Sequence, residues 1–227
     1  MLFKSPASNA IFAFALFALT AFGGTPEAMA QQTPPAPAAP VAADPENLLY
    51  LDLSTGGRVT IQLYPNVAPT HVERIKTLTR KGFYNGLIFH RVIDGFMAQT
   101  GDPTGTGQGD SELPDIKAEF NPTPHLRGTV SMARTNEPDS ANSQFFICFL
   151  PRFSLDNKYT VFGRVSAGMQ YVDAIMRGEP PTQPDKIVQA SIAADNLPPP
   201  AIAPAPVVAP ATVAERPTIS VDDLNGN

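Results

Sequence analysis

The sequence predicts a mainly β fold, in which short antiparallel strands close on themselves beneath two helical caps. Two observations indicate this: apolar and polar side chains alternate in several short runs, and Gly, Pro and Asn separate those runs. Only two stretches show helical spacing. Because closure removes exposed strand edges, many short strands with few helices favour a closed sheet. The order of the elements alone does not establish that closure.

The first two strands are expected to form a hairpin. Leu49, Leu51 and Leu53 alternate with polar neighbours. The same alternation returns over residues 59–63, and Thr55-Gly56-Gly57 lies between the two runs. A Gly-rich connection between two alternating runs is typical of a tight antiparallel turn.

One amphipathic helix follows the hairpin. Pro69 is placed where the first turn of a helix tolerates proline. Val72, Ile75 and Leu78 then repeat at helical spacing, and Gly82 is positioned to end the helix.

The remaining elements are read from short runs rich in β-branched or aromatic residues. Strands are expected at residues 87–92, 96–100, 129–132, 144–149, 160–165 and 186–192. A second helix is expected over about residues 169–176, before Gly178.

The amino terminus, residues 1–30, has the organisation of a secretory signal peptide. Lys4 precedes an apolar run over residues 10–22, and Ala28-Met29-Ala30 fits the small-x-small cleavage rule. The run is shorter than the roughly 20 residues that cross a bilayer. The sparse basic region leaves a retained membrane anchor as the alternative. Cleavage after Ala30 would give a periplasmic or secreted protein with no stable membrane association.

Two flanking segments are rich in Pro and Ala, namely residues 31–47 and 196–227. Such composition favours extended, disordered chain, because too little apolar surface can be buried to offset the ordering entropy. We expect a disordered linker and a disordered tail around a folded domain at residues 48–195. Three roles stay open for these segments: a spacer, a docking site for a partner, or a substrate for the protein's own groove.

Charge and cysteine content exclude several functions. The net charge is −5, with no cluster of Lys and Arg, which argues against nucleic-acid binding. Cys148 is the single cysteine, so an intramolecular disulfide is excluded, and its apolar setting indicates a buried, inert thiol. His71, His90 and His125 lack the paired spacing of metal ligands, so no metal is expected.

Several blocks in the folded region carry an active-site pattern. They are Phe89-His90-Arg91, Gly95-Phe96-Met97-Ala98-Gln99, Gly101-Asp102-Pro103-Thr104-Gly105-Thr106-Gly107, Ser131-Met132-Ala133, Ser143-Gln144-Phe145-Phe146-Ile147 and Tyr159-Thr160-Val161-Phe162-Gly163. In order and spacing they resemble the cyclophilins, the peptidyl-prolyl cis-trans isomerases, over residues 48–192, and the detail looks most like bacterial members. The resemblance implies a closed eight-stranded antiparallel β-barrel with an α-helix over each end and a peptide groove on its outer surface.

The resemblance also implies roles for individual residues. Arg91 and Gln99 would be the catalytic side chains. The substrate-binding residues would be Phe96, Met97, Phe146 and Leu155 around the proline ring, Ala133 and Arg134 beside the preceding residue, and Gln144 and Tyr159. No cofactor is needed, because amide rotation makes and breaks no bond.

The chain departs from the family pattern at three positions. Ser154 stands where many members have Trp, Tyr159 where many have His, and Arg134 where Asn is common. Phe153, next to Ser154, is the candidate to replace part of the missing Trp. Arg134 is expected to alter the preference for acidic substrate residues.

The predicted function is therefore isomerisation of X-Pro amides in unfolded or exported polypeptides, by a protein that acts as a monomer. The alternative is a proline-binding chaperone or scaffold that uses the same groove with little turnover. Binding-only relatives would tolerate loss of Arg91, Phe96, Gln99 or Phe146, and this chain keeps all four.

Overall fold

A computed structural model describes residues 43–201, which hold eight strands and two α-helices. The predicted signal peptide lies outside the described residues, as do most of the linker and of the tail. The boundaries expected for those segments therefore remain predictions.

The strands and helices follow the predicted order. In chain order they are β1 (Leu48–Leu53), β2 (Gly57–Leu63), α1 (Pro69–Arg80), β3 (Arg91–Ile93), β4 (Met97–Thr100), β5 (Thr129–Met132), β6 (Phe145–Cys148), β7 (Val161–Ala167), α2 (Met169–Asp173) and β8 (Ile187–Ile192). Single 3₁₀ turns occur at Pro45–Asn47, Phe153–Leu155 and Ala193–Asp195.

All eight strands belong to one antiparallel sheet, in the order β3-β4-β6-β5-β7-β2-β1-β8. The predicted hairpin of β1 and β2 is confirmed, with Leu49 opposite Ile61 and Leu51 opposite Val59. These four side chains are fully buried. Their alternation with more exposed neighbours is what fixes this register, because a slip of one residue would turn them to solvent.

The expected closure of the barrel is wrong: the sheet is curled but open. Its edge strands, β3 and β8, are linked only by isolated bridges, between Ile88 and Lys186 and between Val92 and Gly178. Between Gly178 and Lys186 the chain carries three prolines. Proline has no N–H to donate, so this segment cannot supply a continuous ladder along the free edge of β3.

Two further elements are shorter than predicted. Residues 87–90 form no regular strand, because they make single backbone bonds to the segment before β8, such as Phe89 N–H to the Asp185 carbonyl at 2.8 Å. Helix α2 ends at Asp173 rather than near Met176. The Asp185 carboxylate accepts the Met176 N–H at 2.9 Å, which draws the chain out of the helix.

Helix α1 matches its prediction, and a distant side chain caps it. The Glu119 carboxylate accepts the N–H groups of Thr70 and His71, each at 3.1 Å. An anion at this end also interacts favourably with the helix dipole. Gly82 follows the helix with φ +71°, in the left-handed region that favours glycine.

The two helices and the inner face of the sheet enclose one hydrophobic core. Helix α1 packs against β8 and α2 against β2. The largest fully buried side chains are Tyr84, Phe89, Phe145, Phe162, Leu49, Leu51, Leu53, Ile61, Leu63, Ile75, Met97 and Met132, of which Met97 lies outside the core in a second cluster. None of the helices within residues 43–201 is long and apolar enough to span a membrane.

Candidate active site

Three predicted site residues lie side by side across three neighbouring strands. Arg91 of β3 is directly opposite Gln99 of β4, and Gln99 is directly opposite Phe146 of β6. Residues opposite one another in an antiparallel pair share a face of the sheet. The register of β3, β4 and β6 therefore brings together side chains that are 55 positions apart in the sequence.

This row lies beside a second apolar cluster, separate from the main core. The cluster is formed by Met97, Phe146 and Cys148, against which Ile93, Phe96, Ala133, Leu155 and Tyr159 pack. Neighbouring residues in the same strands, such as Ala98 and Phe145, belong to the main core instead. Side chains alternate between the two faces of a strand, so the second cluster occupies the outer face of the sheet.

A pocket of about 600 Å³ opens over the cluster. It is lined by His90, Arg91, Phe96, Met97, Gln99, Gly105, Thr106, Gly107, Gln108, Ala133, Arg134, Phe146, Leu155, Tyr159, Glu179 and Pro180. Nine of the ten predicted site residues are among these, and Gln144 is the exception. A concave pocket that combines an apolar wall with several polar groups is typical of a small-ligand or peptide site.

Ring–ring contacts with three neighbouring residues fix the position of Phe146 in the pocket wall. The Phe146 ring packs edge-on to Tyr159 at 5.8 Å between centroids and lies 6.5 Å from Phe96. On its other side it stacks on the His125 ring at 6.2 Å. Phe146 is only 5% exposed, so it presents a small, fixed apolar surface to the pocket.

His125 belongs to a buried hydrogen-bonded array. Its Nδ1 atom is 2.8 Å from the Asp156 carboxylate and its Nε2 atom is 3.1 Å from Ser131 Oγ. Such an array has the residue types of a hydrolytic triad. His125 and Ser131 are both fully buried, however, and Ser131 Oγ donates to the Thr160 carbonyl at 2.9 Å. A hydroxyl without access to substrate is no nucleophile, so the array supports the pocket floor.

The Arg91 guanidinium lies at the edge of the pocket. Its Nε atom donates to the Glu179 carboxylate at 2.9 Å, and both side chains are about half exposed. The two terminal NH₂ groups of Arg91 have no hydrogen-bond partner among residues 43–201. The ion pair therefore fixes the direction of the Arg91 side chain. It leaves both terminal NH₂ groups without an acceptor in the described part of the chain.

Gln99 is oriented by the residue behind it. Its Nε2 atom donates to Gln144 Oε1 at 3.0 Å, while Gln144 Nε2 donates to the carbonyls of Gly109 at 2.9 Å and Gly107 at 3.3 Å. Gln144 itself is buried and does not line the pocket. Gln144, a predicted substrate-binding residue, lies one layer behind the pocket, where it fixes the amide orientation of Gln99. Among residues 43–201, the second N–H of the Gln99 amide has no acceptor.

One wall of the pocket is a loop organised by a buried carboxylate. Asp102 accepts the Thr104 N–H at 2.6 Å, the Thr104 hydroxyl at 2.7 Å and the Gly107 N–H at 2.5 Å. Burial alone would raise the pKa of the Asp102 carboxyl, but these hydrogen bonds outweigh it and lower the pKa to about 2. Gly105 and Gly107 have φ of +69° and +84°, which the tight path of the loop requires.

The replacement expected for the missing Trp is wrong. Phe153 is 64% exposed and does not line the pocket. It lies in the same 3₁₀ turn as Leu155, whose side chain does line it. A single turn of 3₁₀ helix cannot direct both side chains into the same cavity, because residues two apart differ by about 240° around its axis. Tyr159, by contrast, lines the pocket as predicted.

Sequence reasoning gave no role to three features of the site. Glu179, which holds Arg91, comes from a loop far along the chain. Asp102 lies in a Gly-rich block, and the sequence alone does not indicate that its carboxylate organises the loop. His90 is 5% exposed, lines the pocket and has no hydrogen-bond partner within the described residues on either ring nitrogen. Burial lowers the pKa of His90. His90 belongs to the block Phe89-His90-Arg91, and its place in that block is the only signal in the sequence.

Cys148 lies below this pocket and is fully buried, which confirms the inert thiol expected from its surroundings. Burial raises the pKa of its thiol to about 12. A thiol of that pKa holds almost no thiolate at neutral pH and is a poor nucleophile.

The eight-stranded antiparallel sheet and the pocket on its outer face are what the resemblance to cyclophilins implies, and comparison with known proteins agrees. The family model described as "Cyclophilin type peptidyl-prolyl cis-trans isomerase/CLD" matches residues 50–192. The chain therefore belongs to the cyclophilin-type peptidyl-prolyl cis-trans isomerase family.

Individual relatives support the same assignment. The chain is 49% identical over 170 residues to a probable peptidyl-prolyl cis-trans isomerase of Brucella suis, covering 68% of this chain and 86% of that protein. Its fold is similar to the crystal structure of the cyclophilin AquaCyp293 from Hirschia baltica, with a TM-score of 0.63, 32% identity, and coverage of 69% and 77% of the two chains. It is also similar to a Cryptosporidium parvum cyclophilin-type isomerase crystallised in the presence of the dipeptide Ala-Pro, with a TM-score of 0.60, 27% identity, and coverage of 64% and 98%.

Proposed function

We propose that this protein accelerates cis-trans rotation about X-Pro amides in unfolded polypeptides. The proposed catalytic centre is formed by Arg91, Gln99 and Phe146. The observation that supports this best is the register that places Arg91, Gln99 and Phe146 side by side at one pocket. The crystallisation of a similar Cryptosporidium protein with Ala-Pro supports a proline-containing ligand for this pocket.

The reaction requires a large reduction of a rotational barrier. Conjugation of the amide nitrogen with the carbonyl opposes rotation by about 18–20 kcal/mol, and uncatalysed exchange takes tens to hundreds of seconds. Exchange on the millisecond scale requires roughly 7 kcal/mol of transition-state stabilisation, at about 1.36 kcal/mol for each factor of ten. No cofactor is proposed, because no bond forms or breaks.

Arg91 supplies stabilisation that appears only as the amide twists. In the twisted state the proline nitrogen recovers its lone pair and can accept a hydrogen bond, which the planar amide cannot do. A terminal NH₂ group of Arg91 is the proposed donor. Such differential binding is what lowers a barrier. One charge-assisted hydrogen bond is worth roughly 1.5–3 kcal/mol, so Arg91 accounts for part of the effect.

The remaining stabilisation is assigned to Gln99 and to the apolar walls. The second N–H of the Gln99 amide is the proposed donor to the substrate carbonyl. Phe96, Met97, Phe146 and Leu155 surround the proposed site of the proline ring. The twisted amide is less dipolar than the planar one, so it loses less on transfer from water into these walls.

A test of activity separates catalysis from binding alone. The full-length protein and its Arg91→Ala variant are assayed by protease-coupled isomerisation of an Ala-Pro peptide. We expect rapid isomerisation by the wild type and a large loss in the variant. Binding of the peptide without acceleration would support the alternative, a proline-binding chaperone or scaffold.

We further propose that the protein is a bacterial, exported monomer that serves newly translocated chains in the periplasm or outside the cell. Support comes from the signal-like sequence of residues 1–30 and from similarity to a Brucella protein. The proposal includes removal of residues 1–30, release from the membrane, and a folded domain at residues 48–195 between a linker and a tail. Mass spectrometry of the intact exported protein tests the cleavage. A mass that includes residues 1–30 would favour the membrane-anchor alternative.

A further inference from the structure

Three cationic residues contact or adjoin aromatic residues that line the pocket. We call Arg134, Arg152 and Lys158 the basic rim. Arg134 lines the pocket and its guanidinium lies 4.6 Å from the centre of the Tyr159 ring. The Arg152 guanidinium lies 4.8 Å from the centre of the Phe96 ring. Lys158 directly precedes Tyr159, so the basic rim borders two aromatic residues that line the pocket.

Arg134 is held rigidly without being neutralised. Its Nε and Nη2 atoms donate to the Lys158 carbonyl at 3.1 and 2.8 Å, and its Nη1 atom donates to the carbonyls of Thr135 at 2.8 Å and Asn136 at 3.3 Å. A carbonyl carries no net charge, so these bonds fix the position of the cation and leave its full charge. A guanidinium has five N–H donors. Within the described part of the chain, one N–H on Nη2 has no acceptor.

No carboxylate within residues 43–201 lies at ion-pair distance from the basic rim. None of its three members forms an ion pair there, whereas Arg58, Arg80, Arg91, Arg127 and Arg177 each do. The one carboxylate that lines the pocket is that of Glu179, which already pairs with Arg91. The protein as a whole carries −5, so the positive charge at this pocket is local and not a general property of the surface.

We propose that the basic rim makes this protein prefer X-Pro substrates with an Asp or Glu side chain next to the proline. This inference rests on the proposed function and adds the class of substrate. Arg134 lines the pocket, so its fixed cation would attract a carboxylate on a residue next to the proline. An attraction near the protein surface is modest, so we expect a preference of about threefold to fivefold over a neutral side chain of the same shape.

The test compares peptides that differ by one charge. Isomerisation is measured by NMR exchange, without a protease, on two matched pairs: Glu-Pro against Gln-Pro, and Pro-Glu against Pro-Gln. For each protein variant the result is the ratio of kcat/KM within a pair, so changes in absolute rate do not affect it. We expect a ratio of about three or more for at least one pair at low salt, falling towards one as ionic strength rises to about 0.5 M.

Variants assign the preference to the basic rim. Arg134→Gln is expected to bring the ratio close to one, and Lys158→Gln to lower it partly. Arg134→Lys separates charge from structure: it loses the forked bonds to the carbonyls but keeps the charge, so most of the preference should remain. Arg164→Gln is the matched control, because Arg164 is an exposed arginine of β7 that does not line the pocket.

Two results would overturn the proposal. Ratios near one for both pairs in the wild type, with normal isomerisation of Gln-Pro, would refute the acidic preference and leave the proposed function standing. A preference that survives Arg134→Gln, or that Arg164→Gln abolishes equally, would refute its assignment to the basic rim. Absence of isomerisation for every peptide would instead refute the proposed function.

Discussion

Arg91 is held at the pocket edge by Glu179, with 2.9 Å between Arg91 Nε and a carboxylate oxygen of Glu179. The contact uses the one guanidinium nitrogen that lies nearest the backbone. The terminal NH₂ groups, which can reach furthest into the pocket, are free of other bonds within the described residues. An ion pair through Nε thus orients the proposed catalytic donor without occupying it.

Glu179→Gln should weaken catalysis only slightly. The pair is about half exposed, and exposed ion pairs contribute roughly 0–1 kcal/mol. We expect kcat/KM on a neutral Ala-Pro peptide to fall about two- to threefold, and the free energy of unfolding in urea to change by less than about 0.5 kcal/mol. Glu112→Gln, an exposed residue outside the pocket, is the control. A loss as large as that of Arg91→Ala would mean that Glu179 takes part in the reaction directly.

Gln99 and Gln144 should act as one unit. If Gln144 serves to orient the Gln99 amide, its truncation matters only while Gln99 is present. We expect Gln99→Ala and Gln144→Ala each to lower kcat/KM, and the double variant to be no slower than about twofold below Gln99→Ala. Steady-state kinetics on the four proteins of this cycle provide the measurement. Multiplicative losses in the double variant would show that the two amides act independently.

Asp102 should stabilise the fold in a pH-dependent manner. Its carboxyl pKa is about 2 in the folded protein against an ordinary value of 3.8. A lowered pKa contributes stability above the ordinary value, and that stability is lost as pH falls through about 4 to 2. Asp102→Asn should therefore be less stable than wild type at pH 5, by roughly 2 kcal/mol, and the gap should close towards pH 2. Urea unfolding at several pH values measures it. A gap that stays constant over this range would contradict the assignment.

Leu155 and Phe153 should differ sharply in their effect on activity. Leu155 lines the pocket, so Leu155→Ala should raise KM several-fold by removing part of the apolar wall. Phe153 is largely exposed and lies outside the pocket, so Phe153→Ala should leave kcat/KM within about twofold. The two variants lie in the same 3₁₀ turn and control for local disruption. Equal losses would indicate that Phe153 folds over the substrate.

Elements with strong local signals could be predicted from the sequence. The β1-β2 hairpin and helix α1 follow from alternation, a helical repeat and flanking Pro69 and Gly82, all of which act over a few residues. The pocket residues came from a resemblance that spans the folded region, and nine of ten line one cavity. The sequence gives no signal that Gln144 lies behind Gln99, because the two glutamines belong to different motifs and are 45 positions apart.

Features that depend on distant contacts could not be predicted. The prediction of a closed barrel was wrong because the segment that lies along the edge of β3 contains three prolines. That segment is about 90 residues further along the chain. The end of α2 is set by Asp185, and the cap of α1 by Glu119. Glu179 reaches Arg91 for the same reason. Such pairings are decided by three-dimensional packing, and no local pattern encodes them.

The proposed catalysis requires that Arg91 bind the twisted amide more tightly than the planar one. Measuring both kcat/KM and the equilibrium Kd of an X-Pro peptide, for wild type and Arg91→Ala, tests it most directly. We predict that kcat/KM falls about 10- to 100-fold, as expected for one charge-assisted hydrogen bond, while Kd changes by less than about threefold. A Kd that weakens in the same proportion as kcat/KM, or an unchanged rate, would contradict this account.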